Sequence, residues 1–282
     1  MPYVTTDDSV RLHYEEAGSG FPILFIHEFA GDARSWEPQL RQFSRDYRCI
    51  AYNARGYPPS DVPQAVDRYS QARAVADAEA VCAALEIERA HVVGLSMGAY
   101  CALHLALKRP ELARSLVVAG CGYGSDPALR ERFRANSEAA AQRFEQLGAA
   151  AAAAQYADVP SRWPLRDKDP RAWAEFCARL AEHDAVGSAH TLRGVQMRRP
   201  SLWDLTDQLR RMRLPTLIIT GDADEPCITA SLKMRREIPG AGLLVLPHGG
   251  HAINLEEPAW FNRALADFLL AAEQGRWGPA TT

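Results

Sequence analysis

Five residues, Gly94-Leu95-Ser96-Met97-Gly98, follow the apolar run Ala90–Val93 and restrict the fold of this chain more than any other segment. A Gly-x-Ser-x-Gly sequence of this kind forms a nucleophile elbow, with the serine on a sharp strand-to-helix turn and its hydroxyl pushed outward. The glycines are there for steric reasons, since side chains beside so tight a turn would collide with the neighbouring strand and helix. The stretch 97–109 is built of strong helix formers with basic residues in its last turn, and Pro110 stops it. The motif therefore has the strand before it and the helix after it that it requires.

Further short apolar runs at Phe21–His27, Arg48–Asn53, Ser115–Ala119, Leu217–Thr220 and Leu243–Leu246 suit strands buried on both faces of a parallel sheet. Residues 2–16 carry two strand-like runs around the turn Thr6-Asp7-Asp8-Ser9, an opening hairpin. Apolar residues recur at helical spacing at Val75, Ala78, Val81, Cys82 and Leu85, and earlier at Trp36, Leu40 and Phe43. Strands alternating with helices predict a doubly wound α/β sheet. From 125 to 210 the alternation stops and Ala-, Arg- and Glu-rich helical sequence takes over, punctuated by Pro160, Pro164, Pro170 and Pro200. This divides the chain into a core of residues 1–124 and 211–282 and a helical cap of 125–210, made of several short helices over the carboxyl edge of the sheet.

With 282 residues and a net charge of −3, the chain can bury a large core and has no basic stripe for nucleic acid or an anionic membrane. No apolar run reaches membrane-spanning length, and the start does not read as a signal peptide. The expectation is a soluble, cytoplasmic protein with a small-molecule partner; self-association as a homodimer is left open. The six cysteines are scattered, without metal-ligand spacing, and are expected to be reduced thiols. No metal and no organic cofactor is expected.

A serine hydroxyl is a weak nucleophile until a base takes its proton and a carboxylate orients that base. Two later loops offer the partners: Gly221-Asp222-Ala223-Asp224-Glu225-Pro226, and Pro247-His248-Gly249-Gly250-His251, with Glu256-Glu257-Pro258 opening the last helix. In this order of Ser, Asp and His the chain resembles the α/β-hydrolase superfamily over nearly its whole length, and within it the capped serine hydrolases. The resemblance implies a mostly parallel eight-stranded sheet flanked by helices, with the cap inserted between strands 6 and 7. It selects Asp224 rather than Asp222 as the acid, and His251 rather than His248 as the base. It also implies an oxyanion hole from the N–H groups of Met97 and Phe29, the latter in His27-Glu28-Phe29-Ala30-Gly31, which is similar to the family's His-Gly-x-x-Gly. Glu28 stands where glycine is usual: either it turns away to bond backbone or an arginine, or it sets a second carboxylate beside the site. Asn53-Ala54-Arg55-Gly56 replaces a common Asp-x-Arg-Gly turn, with Arg55 as scaffold. Trp163 and Trp203, with Trp173, Phe176 and Met197, either line a substrate pocket or pack the cap onto the core. The activity implied is hydrolysis of a small apolar carboxylic ester or lactone through an acyl-enzyme. Carbon–carbon bond hydrolysis of ring-cleavage products, and a slow-turnover ligand receptor, are the alternatives.

Overall fold

The computed structural model describes residues 2–278. Eight strands form one sheet in the order β1-β2-β4-β3-β5-β6-β7-β8. They are β1 (Tyr3–Thr5), β2 (Arg11–Ala17), β3 (Phe21–Ile26), β4 (Tyr47–Tyr52), β5 (Ala90–Leu95), β6 (Ala113–Ala119), β7 (Thr216–Gly221) and β8 (Gly242–Leu246). β1 and β2 are antiparallel, and β2 joins β4 antiparallel. From β4 onward every pairing is parallel.

Alternate residues of the central strands feed two cores, as the two-residue period of a strand requires. Leu24, Ile26, Ile50, Val92, Leu116, Val118 and Ile218 pack on one face with α2 (Gln71–Ala84) and α3 (Met97–Lys108). Ile23, Phe25, Ala51, Val93, Leu95, Val117 and Ile219 face the other way, toward Leu40 and Phe43 of α1 (Glu37–Phe43) and the buried side of the final helix. Continuous apolar runs, rather than alternating ones, are the consequence of covering both faces.

Between β6 and β7 lie α4 (Arg130–Ala157), α5 (Trp163–Lys168), α6 (Pro170–Ala181), α7 (Ala185–Thr191), a π turn at Leu192–Gln196, and α8 (Thr206–Arg211). The first four helices share a third apolar cluster with Phe29, Tyr57, Met97 and Ala252, all on loops or helix starts at the carboxyl ends of strands. Two expectations are altered here. The insert does not stay over the sheet edge to residue 210, because Leu202, Leu205 and Leu209 are buried with Ile218 and Met234 on one sheet face. Nor is it uniformly short-helical: α4 runs 28 residues, broken at Gly148, whose φ of 76° and ψ of 171° are not helical. Helical composition alone does not say which layer a helix joins. The remaining helices are α9 (Glu225–Glu237), α10 (Ile253–Glu256) and α11 (Pro258–Glu273).

Candidate active site

Ser96 sits between β5 and α3 with φ 54° and ψ −111°, a strained conformation for a residue with a side chain. The flanking glycines have no alternative. A Cβ on Gly98 would lie 2.0 Å from the Ile26 carbonyl oxygen, and one on Gly94 would lie 2.3 Å from the Gly98 oxygen. The Ser96 N–H is tied to the Ala119 carbonyl at 2.8 Å, fixing the turn to β6. The hydroxyl that emerges lies 2.8 Å from Nε2 of His251.

His251 Nδ1 is 2.8 Å from Asp224 Oδ2. An ionised carboxylate only accepts, so Nδ1 carries the proton and Nε2 accepts from the serine hydroxyl. Burial disfavours the imidazolium, but the Asp224 carboxylate outweighs it and the imidazole pKa is raised above its ordinary value. Asp224 stands just before α9 in the turn after β7, with its carboxylate free of helix capping, and the neighbouring Ala223 N–H reaches the Gly249 carbonyl at 2.9 Å, which binds this turn to the histidine loop. Glu256 accepts from the Gly250 and Ala252 N–H groups on either side of His251. Burial pushes the Glu256 carboxyl up to about 7 against those two hydrogen bonds. Its role was not read from the sequence, although it lies one helical turn past the histidine. Asp222 and His248 are exposed at the surface.

The loop after β3 is held by His27, whose Nε2 accepts from the Ala54 N–H at 3.0 Å and whose Nδ1 therefore donates to the Glu28 carbonyl at 2.6 Å. Among the described residues no hydrogen bond uses the N–H of Phe29 or of Met97. Met97 opens α3, where backbone N–H groups lack helical partners and the helix dipole is positive.

Glu28 settles into an arrangement that combines both sequence alternatives. Its carboxylate forms a bidentate pair with Arg162 of the cap, and both side chains are almost wholly buried. Burial alone would raise the Glu28 carboxyl, but the guanidinium holds it below its usual value. The same carboxylate lies 3.9 Å from His251 Nε2. Arg162 was not singled out in the sequence, where nothing marks it among the other cap arginines. Its neighbour Ser161 offers the carbonyl that accepts from the His251 N–H at 2.7 Å.

A cavity of about 530 Å³ opens beside His251, Asp224 and Arg162. Its walls combine Ala139, Ala140 and Val159 with Arg132, Asn136, Arg143 and Tyr156. Neither tryptophan nominated for substrate contact lines it. Trp163 is 39% exposed and its Nε1 donates to Asp158, while Trp203 packs against the sheet-side core under Lys233. Large apolar side chains serve core, surface and pocket equally well, so sequence alone did not separate them. The one cluster of closely spaced ligand atoms suited to a metal among the described residues is Asp224, Cys227 and His251. Burial raises the Cys227 thiol well above its ordinary value, and Sγ donates to the Gly120 carbonyl.

Among the described residues, no helix is long and apolar enough to cross a membrane. Comparison with known proteins agrees with the topology. A relative from Variovorax paradoxus, provisionally named carbamate hydrolase RutD, is 32% identical over 269 residues, covering 92% of this chain and 96% of the relative. A crystal structure of a hydrolase from Pseudomonas aeruginosa PA01 is similar with a TM-score of 0.80 and 28% identity, covering 95% of this chain and 97% of the other. Est816, described as an N-acyl homoserine lactone degrading enzyme, matches with a TM-score of 0.77 and 26% identity over 95% of this chain and 100% of its own. The family model described as the alpha/beta hydrolase fold matches residues 22–258, and the chain belongs to that family.

Proposed function

We propose that the protein is a serine hydrolase cleaving a carboxylic ester or lactone through an acyl-enzyme on Ser96. The observation that carries this reading is the unbroken hydrogen-bond relay from Ser96 through His251 to Asp224, with the serine held at positive φ. Ser96 Oγ attacks the acyl carbon while its proton passes to His251 Nε2. The negative charge that develops on the acyl oxygen is taken by the N–H groups of Phe29 and Met97, each contributing roughly 2.7–4 kcal/mol by analogy with other oxyanion donors. The protonated imidazole, stabilised by Asp224, gives its proton to the leaving alcohol. Water then attacks the acyl-serine with His251 again as base, which restores the hydroxyl and releases the acid. Support comes from relatives whose names specify carbamate and lactone substrates, both of which present an acyl carbon to a nucleophile.

The test is hydrolysis of p-nitrophenyl esters from acetate to laurate by the wild type and by Ser96→Ala, with mass spectrometry of the protein after a fluorophosphonate. Expected are turnover that falls by at least about 10³-fold in the variant and a single adduct on the Ser96 peptide. Because the base must be neutral and its pKa is raised, kcat/KM is expected to fall as the pH drops through a midpoint above 6.5. Equal ester cleavage by both proteins, or labelling elsewhere, would reject the assignment.

A further inference from the structure

The cavity beside the relay carries more hydrogen-bond donors than acceptors. On α4, Arg132, Asn136, Ala140 and Arg143 stand at spacings of four, four and three residues, so one face of this cap helix looks into the cavity. Arg143 is only partly exposed and has no ion pair or hydrogen bond among the described residues. Of the other two arginines on its walls, Arg162 is neutralised by Glu28 and Arg132 is exposed at the rim. Tyr156 also lines the cavity, and its hydroxyl has no hydrogen-bond partner among the described residues; burial raises it to about 12, so it remains a donor. The acceptors on the walls are fewer. Asp224 is bound to His251, and Glu225 lies exposed at a rim that it shares with Arg132.

We infer that Arg143, with Tyr156, forms a carboxylate-binding subsite, and that the ester or lactone accepted here carries an anionic group on its acyl portion. A guanidinium presents a planar pair of donors that matches a carboxylate. In a cavity partly walled by Ala139, Ala140 and Val159 such a pairing is less screened than at the open surface. Arg132 and Glu225 set the charge of the entrance, where the glutamate opposes an anion. This departs from the small apolar substrate expected from the sequence, and it rests on the Ser96 hydrolase reading.

The experiment compares mono-p-nitrophenyl adipate with p-nitrophenyl hexanoate, equal in acyl length and differing in a terminal carboxylate. The wild type is expected to show at least about tenfold higher kcat/KM on the adipate ester. That ratio should fall about tenfold or more in Arg143→Gln, mainly through KM, fall less in Tyr156→Phe, and rise in Glu225→Gln. No preference in the wild type, or a ratio unmoved by Arg143→Gln, overturns the subsite. Calorimetric titration of adipate into Ser96→Ala separates this from failure of the hydrolase reading. Binding that Arg143→Gln abolishes supports the anion site even where neither ester is cleaved, and absence of binding overturns it.

Discussion

Glu28 and Arg162 bring two full charges out of water at the junction of the cap and the loop after β3, and Arg162 stacks 5.0 Å over Phe176. Such a pair contributes little net stability compared with an apolar replacement, but loss of one member strands the other. Arg162→Met is therefore expected to cost about 3–5 kcal/mol in urea unfolding, and Glu28→Gln a similar amount. The double variant should cost less than the sum by about 2–3 kcal/mol; additive effects would show that the two do not depend on each other. Glu28→Gly belongs with these destabilising changes, because it too leaves the Arg162 guanidinium buried without its partner. The convergence of Ser96, Asp224 and His251 was legible in the chain because each follows a strand, in a recognisable order and beside marker glycines. The partners that surround them were not. Arg162 and Arg143 are arginines among many, and only the folded cap separates a guanidinium in a cavity from one in solvent.

Glycines mark where elements approach or bend, and two of them in this chain differ in kind. Gly98 lies where α3 crosses β3, and an added Cβ would meet the carbonyl oxygens of Ile26 at 2.0 Å and of His27 at 2.6 Å. Backbone on both sides cannot yield, and the His27 carbonyl belongs to the loop that presents the Phe29 N–H. Gly98→Ala is expected to cost more than about 3 kcal/mol and to lose ester hydrolysis with it. Gly148 has φ +76° and nothing within 4 Å of an added Cβ. There the penalty is conformational strain alone, about 1–3 kcal/mol, and Gly148→Ala should retain kcat. Thermal unfolding together with steady-state rates checks both; equal effects would show that contact is not what distinguishes them. The strands were readable because burial on both faces leaves uninterrupted Val, Ile and Leu runs such as Ile23–Ile26. The course of α4 was not. Both arms of α4 are built of helix formers, and Ala140 before Gly148 and Ala152 and Ala153 after it dock into one tertiary cluster that composition does not reveal.

The molecule as a whole is a sheet with apolar cores on both faces and a cap whose apolar contacts are with the loops beneath it. Phe29, Tyr57, Tyr69 and Met97 from the sheet side lie in one cluster with Phe144, Leu165, Phe176, Leu180 and Leu192 from the insert. The ring of Phe29 packs within 6.4 Å of Tyr57, Phe144 and Tyr156. Polar contacts join the two parts as well: Arg179 reaches the Arg34 carbonyl, Lys168 pairs with Glu257, and the Ser161 carbonyl accepts from His251. Gly187 approaches so closely that an added Cβ would lie 2.1 Å from the Gly56 oxygen. An insert whose apolar cluster is completed by Phe29, Tyr57, Tyr69 and Met97 of the core gains part of its ordering free energy only when docked, because the entropy cost of fixing its backbone is met in part by burial against those residues. Unfolding in urea should accordingly be a single transition, with far-ultraviolet circular dichroism and tryptophan fluorescence coincident. A peptide of residues 126–197 alone should show little stable tertiary structure, although its alanine-rich stretch can be partly helical. Replacement of the same segment by a short Gly-Ser linker should leave Phe29, Tyr57 and Met97 uncovered and give a protein that associates or binds a hydrophobic dye. A distinct earlier transition in the intact chain, or a cooperatively folding peptide, would instead make the cap an independent domain. In that case the pairing of Glu28 with Arg162 would be a contact between two folded bodies rather than part of one cooperative structure.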